Sequence, residues 1–285
     1  MPTFKTPEPI LATIDLAVGE VRITAGDRHD TVVDVRPTDA SHEPDVHAAE
    51  QTRVEYTTNG LLIKSPRQYA LGPRKRGSVD VAVELPVGSK LHADAAMGAI
   101  RATGRLGECR IKVAAGDIDL DEAGPADLTT SAGGIAVGRA TGHADISTSS
   151  GRIRVREIDG SAVIKNSNGE SFVGEISGDL RMNSANGAIV VGDAGGDVTA
   201  TTANGDVRVG AIARGVTSLK TGYGEIEIGV RSGTAARLDA FTHFGQVRNS
   251  MHAADSPGPS EQTAEVRART SFGDIVIRRS GQETS

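Results

Sequence analysis

The segment SANGAIVV at residues 184–191 is followed eighteen residues later by TANGDVRV at residues 202–209, and both place aliphatic residues after an Asn-Gly pair. Related segments lie on either side, such as SNGESFV at 167–173 and GYGEIEI at 222–228. A fixed period of this kind is the signature of a repeat architecture. The turn glycines of the units are Gly98, Gly116, Gly133, Gly151, Gly169, Gly187, Gly205, Gly224, Gly245 and Gly273.

Aligning the units on these glycines places like residues in columns. The second residue after the turn is aliphatic in nearly every unit, and charged or small residues such as Arg152 and Glu225 lie between the aliphatic columns. Alternation with a period of two is typical of a strand with one buried face and one wet face. The column at this second position is Ile100, Ile118, Ile135, Ile153, Ser171, Ile189, Val207, Ile226, Val247 and Ile275.

A second set of glycines, from Gly124 to Gly196, lies between the first set, so each unit has two strands and two turns. A unit of eighteen residues is too short for a helix-containing repeat, and such units must stack to bury their apolar face. Left-handed acyltransferase helices also use eighteen residues per coil, but they place one aliphatic residue every six, whereas Ile153 and Val155 are two apart. The predicted fold is all-β, a β-solenoid of stacked two-strand coils with an irregular β-rich N-terminal part.

The repeats divide the chain into a β-rich N-terminal capping region at residues 1–97, a solenoid region at 98–280 and a tail at 281–285. In the first region, ILATIDLAVGEVRITAG at 10–26 predicts an early coil. Residues 39–53 predict one short helix that begins near Pro44.

Turn and loop signals complete the prediction. The pair Asn59-Gly60 predicts a hairpin, and residues 68–77 and 251–262 predict polar loops. The last coil in the sequence ends with Arg278 and Arg279, which discourage edge pairing, so we expect it to close the stack.

Composition limits the partners and the compartment. The 285 residues carry 31 basic and 37 acidic side chains, a net charge of −6, which predicts no nucleic-acid partner. No run of about eighteen apolar residues occurs, so we expect no membrane span. The single cysteine, Cys109, excludes an intrachain disulfide, and the first residues show no export signal, which together favour a cytoplasmic location.

Several motifs together resemble the bacterial "putative adhesin" family of the actinobacterial type, a β-strand-repeat domain of unknown function. The resemblance covers nearly the whole chain and implies a β-solenoid, and it transfers no catalytic residue. It rests on FKTPEPI (4–10), GEVRITAGDRHDTVVDVRP (19–37), AAEQTRVEY (48–56), VDVAVELPVGSKL (79–91) and the repeated coils.

No catalytic, cofactor-binding or metal-binding residue is predicted, and hence no cofactor. The seven histidines form no pair at ligand spacing. Cys109 falls in an inward column, which favours a buried core residue over a nucleophile. Asp117, Asp119 and Asp121 form only one acidic rung, whereas calcium-binding coils need consecutive ones. The basic run 74–76 is interpreted as a solvated loop.

One outward column predicts an interaction patch. Phe172 and Val190 fall on adjacent rungs, with Arg154 and Arg208 on the flanking rungs. Exposed apolar residues rimmed by charge are typical of a contact site. Two alternatives remain: a one-residue slip at Ser171, which would turn Phe172 into the core, or incidental exposure of the pair without any partner.

The predicted function is therefore a non-enzymatic β-solenoid scaffold or protein-interaction module, adhesin-like, whose partner is an unknown protein or a second copy of itself. One alternative is a self-assembling structural protein similar to bactofilins, whose short coils also stack end to end. Another is a polysaccharide-acting β-helix enzyme, which needs carboxylates that converge on a long groove.

Overall fold

The computed structural model of the chain describes residues 1–66, 77–251 and 262–281, and it contains two compact units, Met1–Thr141 and Gly142–Ser285. In each unit the strands form two β-sheets. From residue 79 onward consecutive described strands lie in opposite sheets, so the chain winds as a coil. The predicted β-solenoid is confirmed, while the boundary between residues 97 and 98 stays a prediction.

Unit 1 combines parallel coils with an antiparallel N-terminal region. Its helix is α1 (Glu43–Gln51). Its strands are β1 (Thr3–Lys5), β2 (Leu11–Val18), β3 (Val21–Gly26), β4 (Asp30–Pro37), β5 (Arg53–Thr57), β6 (Gly60–Lys64), β7 (Val79–Pro86), β8 (Lys90–Met97), β9 (Ile100–Arg105), β10 (Cys109–Ala115), β11 (Ile118–Ala123), β12 (Ala126–Ala132) and β13 (Ile135–Thr141).

Within unit 1, one sheet has the order β1-β4-β7-β3-β9-β11-β13 and the other the order β5-β6-β2-β8-β10-β12. Strands β2 and β3 pair in parallel with β8 and β9, so residues 10–26 form the early coil that the sequence predicts. Strands β5 and β6 pair antiparallel with Thr57 opposite Gly60, which confirms the hairpin. The β1–β4 and β4–β7 pairs are also antiparallel.

The predicted helix is present as α1, with Pro44 in its first turn. Buried Asp45 anchors this turn. Its carboxylate accepts hydrogen bonds from the backbone N–H of Ser78 at 2.9 Å and from Nδ1 of His42 at 2.7 Å. Burial raises the pKa of Asp45, but these bonds and the one from the N–H of Asp39 outweigh it and lower the pKa below its ordinary value.

Unit 2 is built from parallel coils throughout its described residues. Its strands are β14 (Ala144–Ser150), β15 (Ile153–Asp159), β16 (Ala162–Asn168), β17 (Ser171–Ile176), β18 (Leu180–Asn186), β19 (Ile189–Ala194), β20 (Val198–Asn204), β21 (Val207–Ile212), β22 (Gly215–Tyr223), β23 (Ile226–Val230), β24 (Thr234–Phe244), β25 (Val247–Asn249), β26 (Gln262–Phe272) and β27 (Ile275–Arg279).

The coils of unit 2 do not stack in the order of the sequence. One sheet runs β15-β17-β19-β21-β23-β27-β25 and the other β14-β16-β18-β20-β22-β26-β24. The final coil, β26 and β27, therefore lies between β22–β23 and β24–β25. The expectation that it closes the stack is wrong, because Arg278 lies on an internal strand, where its Nη2 donates to Oε1 of Glu227 at 2.6 Å.

The predicted inward columns form the core. Ile153, Val155 and Ile189 are each no more than 1% exposed. Ser171 occupies the same column and pairs with Ile153 and Ile189 without a slip in register. It is buried and accepts a hydrogen bond at 3.2 Å from Nδ2 of Asn166, which supplies the partner that an aliphatic column lacks.

A second inward column is polar, and it ties each coil to its neighbour. Thr202 donates from Oγ1 to the carbonyl oxygen of Gly187 at 3.3 Å, and Thr221 donates to that of Gly205 at 2.8 Å. Each bond joins a strand to the turn of the adjacent coil and satisfies a buried hydroxyl. The same contact is made by Thr130, Asn166, Thr270 and Thr242.

Cys109 is a core residue, as predicted. It is fully buried, between Leu91 and Ala126 of the neighbouring strands. Burial, with a smaller contribution from the charge of Glu108, raises the pKa of the thiol to about 12.

The two assigned faces predict opposite outcomes for adjacent residues. Val155→Asp places an unpaired charge in the core and should cost several kcal/mol of stability, roughly 3–5. Arg154→Asp, on the outer face, should cost less than about 1 kcal/mol. Urea unfolding followed by circular dichroism measures both, and similar midpoints for the two variants would contradict the assignment of faces.

Cys109 should be inert while the chain is folded. At about pH 8, alkylation by iodoacetamide should be at least about a hundredfold slower in the native chain than in urea, where the thiol pKa returns to about 8.5. Since the folded pKa is the higher one, this group's contribution to stability is lost as the pH rises from the unfolded pKa through the folded one. Equal alkylation rates in native and unfolded chains would show that the column is open to solvent.

Candidate functional site

The predicted patch residues lie together on the outer face of unit 2. Phe172 on β17 is directly beside Val190 on β19, and both side chains are half-buried. Arg154 on β15 is the neighbour of Phe172, and Arg208 on β21 is the neighbour of Val190. The order across the sheet is therefore the predicted one, and these four residues are called the Phe172 patch. The alternative in which Phe172 turns inward is wrong, because Ser171 takes the inward position.

The two arginines of the Phe172 patch have different surroundings. The guanidinium carbon of Arg154 lies 5.3 Å from the centre of the Phe172 ring, which is a cation–π contact. Arg208 instead forms ion pairs with Asp206 at 2.8 Å and Glu227 at 3.6 Å. The positive charge of Arg154 thus lies over the ring, while that of Arg208 is balanced by carboxylates.

A strip without side chains borders the Phe172 patch. Gly174 and Gly192 follow Phe172 and Val190 by two residues, on the same face of their strands. A Cβ atom on Gly192 would lie 2.3 Å from the carbonyl oxygen of Gly174, so a side chain at residue 192 would require the neighbouring strand to shift. The result is a flat backbone surface beside the apolar pair.

A second surface was missed in the sequence. Tyr223, Phe272 and Phe244 each precede a turn glycine, and they stack with ring centres 4.7 and 4.8 Å apart and nearly parallel planes. All three are exposed. An alignment of the residues that precede the turn glycines would have shown this change along the column. The column is asparagine at 168, 186 and 204, and it is aromatic in the last three coils.

In those earlier coils the column forms an asparagine ladder. Nδ2 of Asn186 donates to Oδ1 of Asn168, and Nδ2 of Asn204 donates to Oδ1 of Asn186, both at 2.9 Å. Asn204 is paired in register with Tyr223, so the amide ladder continues directly into the aromatic stack.

The described residues do not assemble a metal centre from three or more histidine, cysteine or acidic side chains. Asp117 and Asp121 instead accept hydrogen bonds from the backbone of neighbouring coils, at the N–H groups of Gly134 (2.7 Å) and Gly104 (3.1 Å). The basic run 74–76 lies outside the described residues. The described helix is nine residues long and does not qualify as a membrane span.

A cleft of about 390 Å³ lies in unit 1 between α1 and the outer face of β2, β8, β10 and β12. Its polar lining includes Asp94 and Lys112, which are neighbours across two strands, and the hydroxyls of Thr129 and Ser131. Histidine and cysteine are absent from its described lining.

Several solved structures are similar to this chain over nearly its full length. A "putative adhesin" from Bacteroides fragilis is 10% identical, with 97% of this chain and 95% of that chain covered and a TM-score of 0.37. A "putative adhesin" from Parabacteroides distasonis is 13% identical, with coverage of 97% and 95% and a TM-score of 0.29. A "putative cell adhesion protein" from Clostridium sporogenes is 10% identical, with 98% of both chains covered and a TM-score of 0.23. Scores this low support no inference about function.

No curated protein matches the sequence. The profile of the Toastrack DUF4097 family, in contrast, matches residues 12–278, which include the parallel coils of both units. The chain therefore belongs to the Toastrack DUF4097 family.

Proposed function

We propose that the chain is a non-enzymatic, adhesin-like β-solenoid that serves as a scaffold or interaction module and binds a protein partner through the Phe172 patch. The observation that supports this most directly is the outward apolar pair Phe172 and Val190, held side by side between Arg154 and Arg208. Aromatic and arginine side chains contribute most to protein contacts. The flat strip at Gly174 and Gly192 leaves a partner free access to one side of the pair.

The short turns support a non-enzymatic role. In unit 2 the turns from β14 to β23 contain two or three residues, such as 169–170 between β16 and β17 and 177–179 between β17 and β18. A polysaccharide-acting β-helix needs walls around a groove and paired carboxylates across it. Turns of this length build no such wall, so the enzyme alternative has less support.

The proposal includes no nucleic-acid or membrane partner and no cofactor. A net charge of −6 supports the first of these, because nucleic-acid binders concentrate positive charge. The cytoplasmic location stays a prediction. The bactofilin-like alternative, a self-assembling structural protein, is favoured by one observation, namely that β24 lies at the end of its sheet.

The Phe172 patch can be tested by Phe172→Ser combined with Val190→Ser. Because both side chains are only half-buried, we expect the melting temperature to fall by less than about 5 °C. A protein retained by the wild-type chain from an extract of the source bacterium should be lost from the variant. Quantitative mass spectrometry of the retained proteins measures this difference.

A control removes two separate outward apolar side chains from the other sheet. Val163 and Val216 are outward apolar residues on β16 and β22, so Val163→Ser combined with Val216→Ser should keep the partner. Loss of the partner from both variants would show non-specific adhesion. A partner kept by both, or a collapse of stability in the first, would count against the Phe172 patch.

A further inference from the structure

Among the described strands, both strands of the last rung of unit 2 lie at the ends of their sheets, and β24 is the longer of the two. Strand β24 pairs with β26 on one side, and no described strand pairs with its other side. It is eleven residues long. A long free edge presents unpaired backbone groups and is a template for another strand.

The inner face of this rung is only partly covered. Leu238 and Ala240 of β24 are half-exposed, whereas Val266 and Ala268, their neighbours on β26, are fully buried. Val247 on β25 is 44% exposed beside fully buried Ile275. The core columns thus end in apolar side chains that lack the next layer.

Two exposed aromatic residues lie on this edge strand. Phe244 is 66% exposed and forms the end of the aromatic stack, and Phe241 is 50% exposed on the outer face of β24. An exposed apolar cluster of this kind is typical of an interaction surface.

The backbone orientation of β24 follows from its pairing with β26. The N–H of Gln262 donates to the carbonyl oxygen of Gly233 at 3.2 Å. Because successive residues of a strand point their backbone groups to opposite sides, the odd-numbered residues from Ala235 to Phe241 bond to β26. The even-numbered residues Ala236, Leu238 and Ala240 therefore direct their N–H and C=O groups to the free edge.

The sequence of β24 is complementary to itself. Around Leu238 it reads Ala236-Arg237-Leu238-Asp239-Ala240. When two copies run antiparallel about Leu238, alanine faces alanine, arginine faces aspartate and leucine faces leucine. In a contact with two-fold symmetry, if residue 237 of one copy faces residue 239 of the other, then residue 239 of the first copy also faces residue 237 of the second. The sequence around Leu238 suits this symmetry.

We propose that the free edge of β24 binds β24 of a second copy of this chain, antiparallel and centred on Leu238, to form a closed dimer. In this dimer Leu238 forms hydrogen bonds with Leu238 of the second copy, and Ala236 forms them with Ala240 of the second copy. These are the residues whose backbone N–H and C=O groups point to the free edge. On the outer face Arg237 lies opposite Asp239 of the second copy, and opposite charges directly across an antiparallel pair stabilise it. The contact uses the same edge of both copies, so it ends at two and does not propagate into a filament.

The first test exchanges the facing charges. We expect the wild-type chain to sediment as a dimer at tens of micromolar, and Arg237→Asp or Asp239→Arg alone to raise the dissociation constant at least about tenfold, because like charges then face each other. Asp239 also forms an ion pair with Arg269 of β26, which the exchange removes. The double variant Arg237→Asp with Asp239→Arg should therefore recover only part of the lost affinity, but it should bind more tightly than either single variant. A monomeric wild-type chain, a double variant as weak as the singles, or assemblies that grow without limit would each overturn the proposal.

The second test avoids altered charges. Leu238→Cys should form a disulfide-linked dimer under mild oxidation, because residue 238 faces itself at a distance that a disulfide can span. Ala236→Cys is the matched control, since it faces Ala240 and lies roughly 13 Å from its own counterpart. Native Cys109 is buried and should not react. Equal crosslinking of the two variants on non-reducing gels would overturn the proposal.

The dimer is separate from the proposed partner contact. Phe172 and Val190 lie on internal strands of the other sheet, so the variant with serine at both positions should dimerise like the wild type. If the chain dimerises but binds no protein partner, the proposed dimer is supported and the proposed role of the Phe172 patch is refuted. The reverse result refutes the dimer alone.

Discussion

The close approach of stacked turns is the constraint on which the rest of this structure depends. At Gly187, with φ of +142°, an added Cβ would lie 2.1 Å from the carbonyl oxygen of Gly169 in the preceding coil, and Gly205 repeats the contact with Gly187 at 2.3 Å. Only glycine fits such a position. Because each turn lies directly over the next, the register between coils is set at every turn and cannot slip by one residue without a clash.

Because the register is fixed, equivalent residues of successive coils lie next to each other. The consequence depends on the type of side chain. Aliphatic columns gain continuous burial, and Thr202 and Thr221 gain a turn carbonyl as hydrogen-bond acceptor. Asn186 gains an amide neighbour on each side. A column of identical charges would instead be destabilised, since adjacent strands are only about 4.8 Å apart. The pairing of Arg208 with Glu227 on the next rung shows how mixed charges relieve this.

Periodicity was sufficient to predict the coils, their two faces and the neighbours of Phe172, because a strand's alternation and the glycine spacing both depend on local geometry. Ser171 left the register open, since a serine in an aliphatic column gives no sign of its partner. That partner, Asn166, lies on the facing strand, and only the folded coil brings the two together. The aromatic column at Tyr223 was visible in the alignment but its exposure was not.

The order of the last coils could not be predicted for a different reason. A shared column shows that two strands are equivalent, but it does not show which of them are adjacent. Between Gly245 and Gly273 the spacing rises to 28 residues, and a connection of that length allows β26 to return between β22 and β24. The residues 252–261 within this connection, part of the predicted loop at 251–262, lie outside the described residues, as do 67–76 of the loop region at 68–77 and 282–285 of the tail.

The strands at the edges of these sheets differ in a way that bears on association. In unit 1, β1 and β5 have three and five residues, pair antiparallel with their neighbours, and β5 carries Arg53 beside Glu55. Short, charged edge strands are a common protection against pairing with other chains. Strand β24 has eleven residues and carries Leu238 in its centre and Phe244 at its end, so it lacks the first of these protections. Its two central charges, on Arg237 and Asp239, are opposite in sign and symmetric about Leu238, so they repel a second copy only in the parallel register and attract it in the antiparallel one. An edge with these two charges therefore favours the antiparallel orientation of a second copy. An edge with charges of a single sign would instead repel a second copy in both orientations.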